Sequence, residues 1–173
     1  APAGSFEKAK VAFMYGADAV YCGTASLSLR SRAEVDDNDL EKTIKYAHSI
    51  GKKVYAALNI YAWDTNYEEI EKQVKMLDEV HVDAIIASDG GVIQKIREIA
   101  PNIEIHVSTQ ANVVSYHAAK FWYDNGAKRV ILGRETSKDQ IQEIMKNKPE
   151  DLEVEMFIHG ALCWAYSRGR RHR

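Results

Sequence analysis

Cysteine is scarce: Cys22 and Cys163 are the two thiols among 173 residues. Two cysteines cannot build a disulfide framework, and thiols this few read as reduced ones in a cytoplasmic protein. Long apolar runs are missing as well. None approaches the roughly 20 residues that cross a bilayer, which excludes a membrane-spanning helix. No secretory signal opens the chain and residue 1 is Ala rather than Met, so a trimmed or partial chain is expected. Distributed basic charge is absent too. The formal charge is −2, but Arg168, Arg170, Arg171 and Arg173 all crowd into the last six residues, which hold no acid. The remaining body carries 19 basic against 25 acidic residues, a charge of −6. A chain that gripped nucleic-acid phosphates along a broad surface would spread its basic residues, and this one does not.

What is present is an ordinary globular composition, 46% apolar and 28% charged, of a size for one domain or a piece of a larger one. A grammar repeats along it. GADAVYCG (16–23), SIGKKVYAALN (49–59), HVDAIIASD (81–89) and GAKRVILGRE (126–135) each turn at Gly or a polar residue and enter a short apolar run. Runs of this kind, too short for helices and rich in Val, Ile and Tyr, read as buried parallel strands. Strands are expected near 18–22, 53–58, 83–87, 103–107, 128–132 and 152–158, each except the last followed by a helix. A helix over 5–15, capped by Ser5, comes first, so a further strand belongs just before Ala1.

The helices between them have legible ends. Leu40, Ile44 and Ala47 share one face, and Gly51 ends that helix. Thr65 and Glu68 sit at capping-box spacing ahead of Ile70, Val74 and Leu77. Ser115 caps a helix with Ala118, Ala119 and Trp122 on one stripe, and Gly126 suits its left-handed C-terminal position. Alternating strands and helices give a parallel sheet with right-handed crossovers. Seven strand positions with no switch of pattern favour an α/β (β/α) TIM-like barrel, one unit short of eight. The expected organisation is one incomplete barrel domain over 1–167 and a basic, non-native tail over 168–173.

In such barrels the working residues lie at the C-terminal ends of strands and in the loops that follow. That rule selects Arg30 and Arg32, Asn59, Asp89 with its neighbours, Ser108, Gln110 and Asn112, Arg134 and Glu135, then His159 with Cys163. Asp89-Gly90-Gly91 precedes a helix and is either an anion-binding helix start or a plain βα turn. Arg30 and Arg32 either clamp carboxylates or phosphates or are solvated loop charges. Arg134-Glu135 is a site pair or an ion pair across the barrel mouth. Cys163 reads as a nucleophile with His159 four residues away, as a metal or cluster ligand, or as a small buried apolar residue.

APAGS (1–5), GADAVYCG, SLRSRA (28–33), GKKVYAALN, STQANV (108–113), GAKRVILGRE and EMFIHGALC (155–163) together resemble one family, along essentially the whole chain. It is the collagenase-like peptidase family of unassigned catalytic type, the U-class peptidases. The resemblance implies a barrel-like core and, by the family's name, a protease acting on proteins such as collagen. It also implies an alternative. Several bacterial relatives are oxygen-independent, prephenate-dependent hydroxylases of a tRNA or rRNA base or of a ubiquinone precursor, with an iron–sulfur cluster held by cysteines.

By this resemblance Cys163 is the first cluster cysteine, and Arg30, Arg32, Gln110, Asn112, Arg134, Glu135 and His159 are site residues at the barrel mouth. The family continues with a second cysteine, whereas here Ser167 is followed by RGRRHR. A cluster generally takes four thiolates, so no cofactor is expected in this chain, and the cluster belongs to a full-length parent. The chain itself is expected to be inactive. The parent's partner is a protein, peptide or RNA substrate, and the chain's own open barrel edge invites self-association. No Ser–His–Asp set, HExxH or aspartic pair stands out.

Overall fold

The computed structural model describes residues 1–24 and 34–158. Arg30, Arg32, His159, Cys163 and the 168–173 tail lie outside the described residues. Two compact units make up the chain, Ala1–Glu104 and Ile105–Arg173.

In the first unit the order is α1 (Phe6–Met14), β1 (Ala19–Thr24), β2 (Glu34–Val35), α2 (Asp37–Ser49), β3 (Lys53–Ala57), α3 (Tyr67–Glu79), β4 (Ala84–Ala87) and α4 (Gly90–Ile99). All of its strand pairs are parallel. β1 runs beside β3 with Ala19 opposite Lys53 and Gly23 opposite Ala57, and β3 runs beside β4 with Tyr55 opposite Ala84. The other edge of β1 takes β2 and, nearer its start, Pro2 opposite Tyr21. Tyr21 donates its N–H to the Ala1 carbonyl at 2.9 Å, and Ala3 donates to the Tyr21 carbonyl at 2.9 Å. Residues 1–3 thus pair with β1 through an isolated bridge, and the strand expected just before Ala1 lies outside the described residues.

The second unit holds β5 (Glu104–Val107, which enters from the first), α5 (Tyr116–Asp124), β6 (Arg129–Ile131), α6 (Lys138–Asn147) and β7 (Glu153–Glu155). Its strands are again parallel, with His106 opposite Arg129 and Arg129 opposite Glu153. That row is polar. The Arg129 guanidinium spans Glu153 and Glu155, with Nε to Glu153 Oε2 at 2.8 Å and Nη1 to Glu155 Oε2 at 3.0 Å.

Four α-to-β junctions share one backbone device. Gly16, Gly51 and Gly126 have φ of 94°, 67° and 88°, and His81 has 58° in the corresponding place. Positive φ reverses the chain at a helix end at little steric cost for Gly. The repeated Gly or polar residue ahead of each apolar run is the sequence trace of this turn. The helices then bury one face each: Leu40, Ile44 and Ala47 on α2, and Ile70, Val74 and Leu77, all fully buried, on α3. α5 departs from expectation, because of its proposed stripe only Ala119 is buried. The capping box expected from Thr65 and Glu68 is replaced as well. Residues 64–66 form a 3-10 turn, in which Asn66 Oδ1 accepts the Trp63 N–H at 2.9 Å and the Asn66 N–H returns to the Trp63 carbonyl at 2.8 Å. β2, two residues long, had no apolar run to announce it.

At the N-terminal end of β4, Asp83 Oδ2 accepts the Val54 N–H at 2.8 Å and lies 3.1 Å from His48 Nε2. It thus ties β3, β4 and the end of α2 together. Asp83→Ala strands the part-buried Val54 donor and should cost about 1–3 kcal/mol in urea denaturation, with Asp83→Asn costing less. Equal stability of the three proteins would remove the tie.

Candidate functional site

Because the strands of each unit are parallel, the residues that follow them emerge at one end. In the second unit, β5 hands over to Ser108 and a 3-10 turn, Thr109–Ala111. Ser108 and Thr109 are nearly buried, at 4% and 7% exposure. Ser108 Oγ accepts the Gln110 N–H and faces Gln110 Oε1, both at 3.4 Å. Asn112 closes the turn in the left-handed conformation, φ 55° and ψ 46°, a region Asn tolerates better than most residues. Its Oδ1 is buried and has no hydrogen-bond partner in the described structure. Buried acceptors are rarely left this way, so the amide stands ready for an incoming donor or a water.

β6 hands over to a tighter turn. The Gly133 carbonyl accepts both the Thr136 N–H at 3.1 Å and the Thr136 hydroxyl at 2.6 Å. Arg134 and Glu135, both exposed, form its corners. The Gly133 N–H reaches the Val113 carbonyl at 2.9 Å, which fastens this turn to the segment just after Asn112. A side chain at Gly133 would not fit as things stand, since its Cβ would lie 2.9 Å from Val114 Cγ1 and 3.3 Å from the Glu135 carboxyl. The Arg134 guanidinium lies over the ring of Phe157, beyond the end of β7, 4.4 Å from its centroid. α6 then starts from a reciprocal cap, Gln140 N–H to Ser137 Oγ at 3.3 Å and Ser137 N–H to Gln140 Oε1 at 2.9 Å. The structure thus gathers Ser108, Gln110, Asn112, Arg134 and Glu135 at one end of the second unit.

In the first unit, Asn59 follows β3 and Asp89 follows β4, and the Leu58 N–H to Ile86 carbonyl bond at 2.9 Å holds the two strand ends side by side. Asp89 is the cap of α4: its Oδ1 accepts the Gly91 and Val92 N–H groups at 2.9 and 3.0 Å. The Tyr67 hydroxyl donates to the same oxygen at 3.5 Å. Burial, and then the neighbouring Asp89 charge, push the Tyr67 hydroxyl above its ordinary pKa. A Cβ on Gly91 would sit 2.2 Å from that hydroxyl. The Asp-Gly-Gly sequence is therefore an ordinary βα turn whose donors are taken by its own carboxylate.

The described residues do not make a metal or cluster site. They contain no group of three or more His, Cys, Asp or Glu placed to hold a metal ion. Cys22, the cysteine among them, is buried in β1 at 1% exposure, and burial pushes its thiol up to about 12. A thiol so reluctant to ionise is a core residue rather than a ligand. No described helix is long and apolar enough to cross a membrane.

The model of peptidase family U32 matches residues 4–171. The chain belongs to that family. It is 47% identical over 167 residues to the tRNA hydroxylation protein P of Haemophilus influenzae, covering 96% of this chain and 36% of that protein. It is 37% identical over 166 residues to the 23S rRNA 5-hydroxycytidine C2501 synthase of Escherichia coli, covering 96% and 25%. The chain thus spans about a third and a quarter of the length of these two relatives. Among solved structures it resembles a U32 peptidase, with a TM-score of 0.70 at 14% identity over 87% of this chain and 64% of the other. The fold class is α/β of the (β/α) barrel type, incomplete, with seven strands among the described residues.

Sequence reasoning missed Gly133, Thr136, Tyr67 and Phe157, the residues that hold the named ones in place. Phe157 left a trace as the aromatic in the EMFIHGALC block, and Gly133 as the second glycine of GAKRVILGRE. A cap and a catalytic acid respond differently to substitution at position 89. Asp89→Asn keeps the acceptor and should leave thermal stability nearly unchanged, whereas Asp89→Ala should cost about 0.5–2 kcal/mol. If Asp89→Asn abolishes activity of the full-length protein with its stability intact, the residue does more than cap.

Proposed function

We propose that this chain is the barrel portion of an enzyme that hydroxylates a base in RNA, with prephenate as the carboxylate-bearing donor that the family resemblance implies. The observation that carries the reading is the 47% identity, across 96% of this chain, to a tRNA hydroxylation protein. The 37% identity to an enzyme making 5-hydroxycytidine in rRNA supports the same class of reaction on a second RNA. The peptidase alternative rests on the family name and on the resemblance to a U32 peptidase at 14% identity. Hydrolysis would call for an activated nucleophile or a metal-bound water. The described residues form no metal group, and their one thiol is buried with a raised pKa.

The cluster stays outside this derivation, because the described residues offer it no ligands. What this chain supplies is binding and orientation. Asn112 presents a buried amide oxygen that an exocyclic amine or ring N–H of a pyrimidine can satisfy, and leaving it unmatched rejects the wrong edge. Arg134, held at a turn corner, suits a carboxylate or phosphate. Glu135 sits beside it as an exposed carboxylate able to accept a proton. Arg30, Arg32 and His159 belong to this proposal by resemblance alone. The basic tail carries no part of it, and RNA is addressed through a pocket rather than a broad basic face.

Mass spectrometry of tRNA and rRNA nucleosides from a strain lacking the full-length gene tests the reading. One 5-hydroxypyrimidine should vanish and return on complementation with the wild-type gene, while Glu135→Gln should restore it to less than about a tenth, the scale of losing a general base. An unchanged set of hydroxylated nucleosides would sink the proposal.

A further inference from the structure

The loop after β3 carries an aromatic ring that the first unit anchors but does not bury. Trp63 is 73% exposed, and Tyr61 beside it is exposed as well. Exposure alone marks nothing, since Tyr15 at the end of α1 is exposed at the opposite, pre-strand end. Trp63 differs in its place and its mounting. Its N–H donates to Asn66 Oδ1 at 2.9 Å, and its carbonyl accepts the Asn66 N–H at 2.8 Å. The 3-10 turn over 64–66 runs straight into α3, whose first residue, Tyr67, donates its hydroxyl to Asp89 at 3.5 Å. The other end of the loop is held where the Leu58 N–H meets the Ile86 carbonyl at 2.9 Å. A large ring on a fixed backbone therefore stands at the post-strand end, in the same loop as Asn59.

We propose that Trp63 is a stacking platform for an unpaired nucleobase of the RNA substrate. This rests on the function proposed above and adds a residue that neither the strand-end rule nor the resemblance selects. Charge decides which part of a nucleotide the ring takes. Asp64 follows it, Glu68 and Glu69 open α3, and the nearby Lys72 is held by Glu68 at 2.6 Å. Such surroundings repel a phosphate, whereas a base offers a neutral π-face that stacks whatever its identity. A duplex keeps its base faces inside and its phosphates outside, so the platform takes bases from single strands and loops alone. A body with 19 basic against 25 acidic residues gains affinity for RNA in this way without a phosphate contact. A cation is also drawn to an aromatic ring among acids, which makes a basic peptide the rival occupant.

Fluorescence anisotropy of the full-length protein at low salt, with labelled oligouridine, an RNA duplex without unpaired bases and oligolysine, tests the platform without requiring turnover. Trp63→Ala should weaken oligouridine binding by about fivefold to a hundredfold, the scale of one stacked base. Trp63→Phe, which keeps a π-face, should recover most of that loss. Duplex binding and the melting temperature should stay as in the wild type for both variants.

The proposal is overturned if Trp63→Ala binds oligouridine as wild type, or if the wild type does not bind oligouridine at all. Loss of oligolysine binding with oligouridine binding intact overturns it in favour of a basic partner. Equal weakening on oligouridine and duplex, with a lowered melting temperature, marks a structural ring and also overturns it. Should Trp63→Ala not fold, unaltered oligouridine binding by Trp63→Leu overturns it. Oligouridine binding that depends on Trp63, in a protein whose absence leaves every hydroxylated nucleoside in place, would sink the hydroxylase reading and not the platform.

Discussion

Parallel pairing is the constraint on which everything else depends. In each unit the strands enter from the same side, so the residues after them emerge together, and those before them gather at the opposite end. The ladders fix this through backbone hydrogen bonds alone: Ala19 to Lys53 and Tyr55 to Ala84 in the first unit, Arg129 between His106 and Glu153 in the second. The two ends then take on different chemistry. Before the strands lie positive-φ turns at Gly16, Gly51, His81 and Gly126, with tying groups such as Asp83. After them lie turns whose carbonyls and N–H groups are closed locally, leaving side chains at the corners. Tying groups gather at one end and the turns of the proposed site at the other, the division expected of a (β/α) architecture.

Much of this was legible because it is periodic. Apolar runs of four or five residues between turn residues marked β1, β3, β4, β5 and β6 to within two residues, since a strand buried on both faces has no other way to be written. Glycines in the left-handed region marked the reversals, because few other residues go there cheaply. What sequence could not show was partnership at a distance. Thr65 and Glu68 have capping-box spacing, yet Asn66 claims the turn, and only geometry decides between two adjacent polar candidates. Asp89 looks like a strand-end acid from spacing alone, and its commitment to the α4 N–H groups depends on a rotamer. The contact of Arg134 with Phe157 joins residues 23 apart, and nothing in their local context announces it. Spacing picked out the turns after the strands, while the residues that brace those turns were not legible in it. Arg30, Arg32, His159 and Cys163 lie outside the described residues.

The two readings of the family pull on different evidence. The name speaks for hydrolysis, whereas the most informative relatives modify RNA. The proposed function assigns the described turns to recognition. The turns after β5 and β6 hold a buried amide oxygen at Asn112, a guanidinium against a ring at Arg134 and an exposed carboxylate at Glu135, and the described thiol is buried in the core. Under the proposed function, an acidic body of this kind would address RNA through few, well-placed groups, since it has no general electrostatic attraction to draw on.

Hydrogen exchange of the full-length protein, followed peptide by peptide with and without unmodified tRNA, tests this arrangement most directly. The account predicts protection in the turns that follow strands, at 108–113 and 133–136, and none in the reversals around Gly16, Gly51, His81 and Gly126. Protection concentrated at those four reversals, with the post-strand turns unchanged, would contradict it.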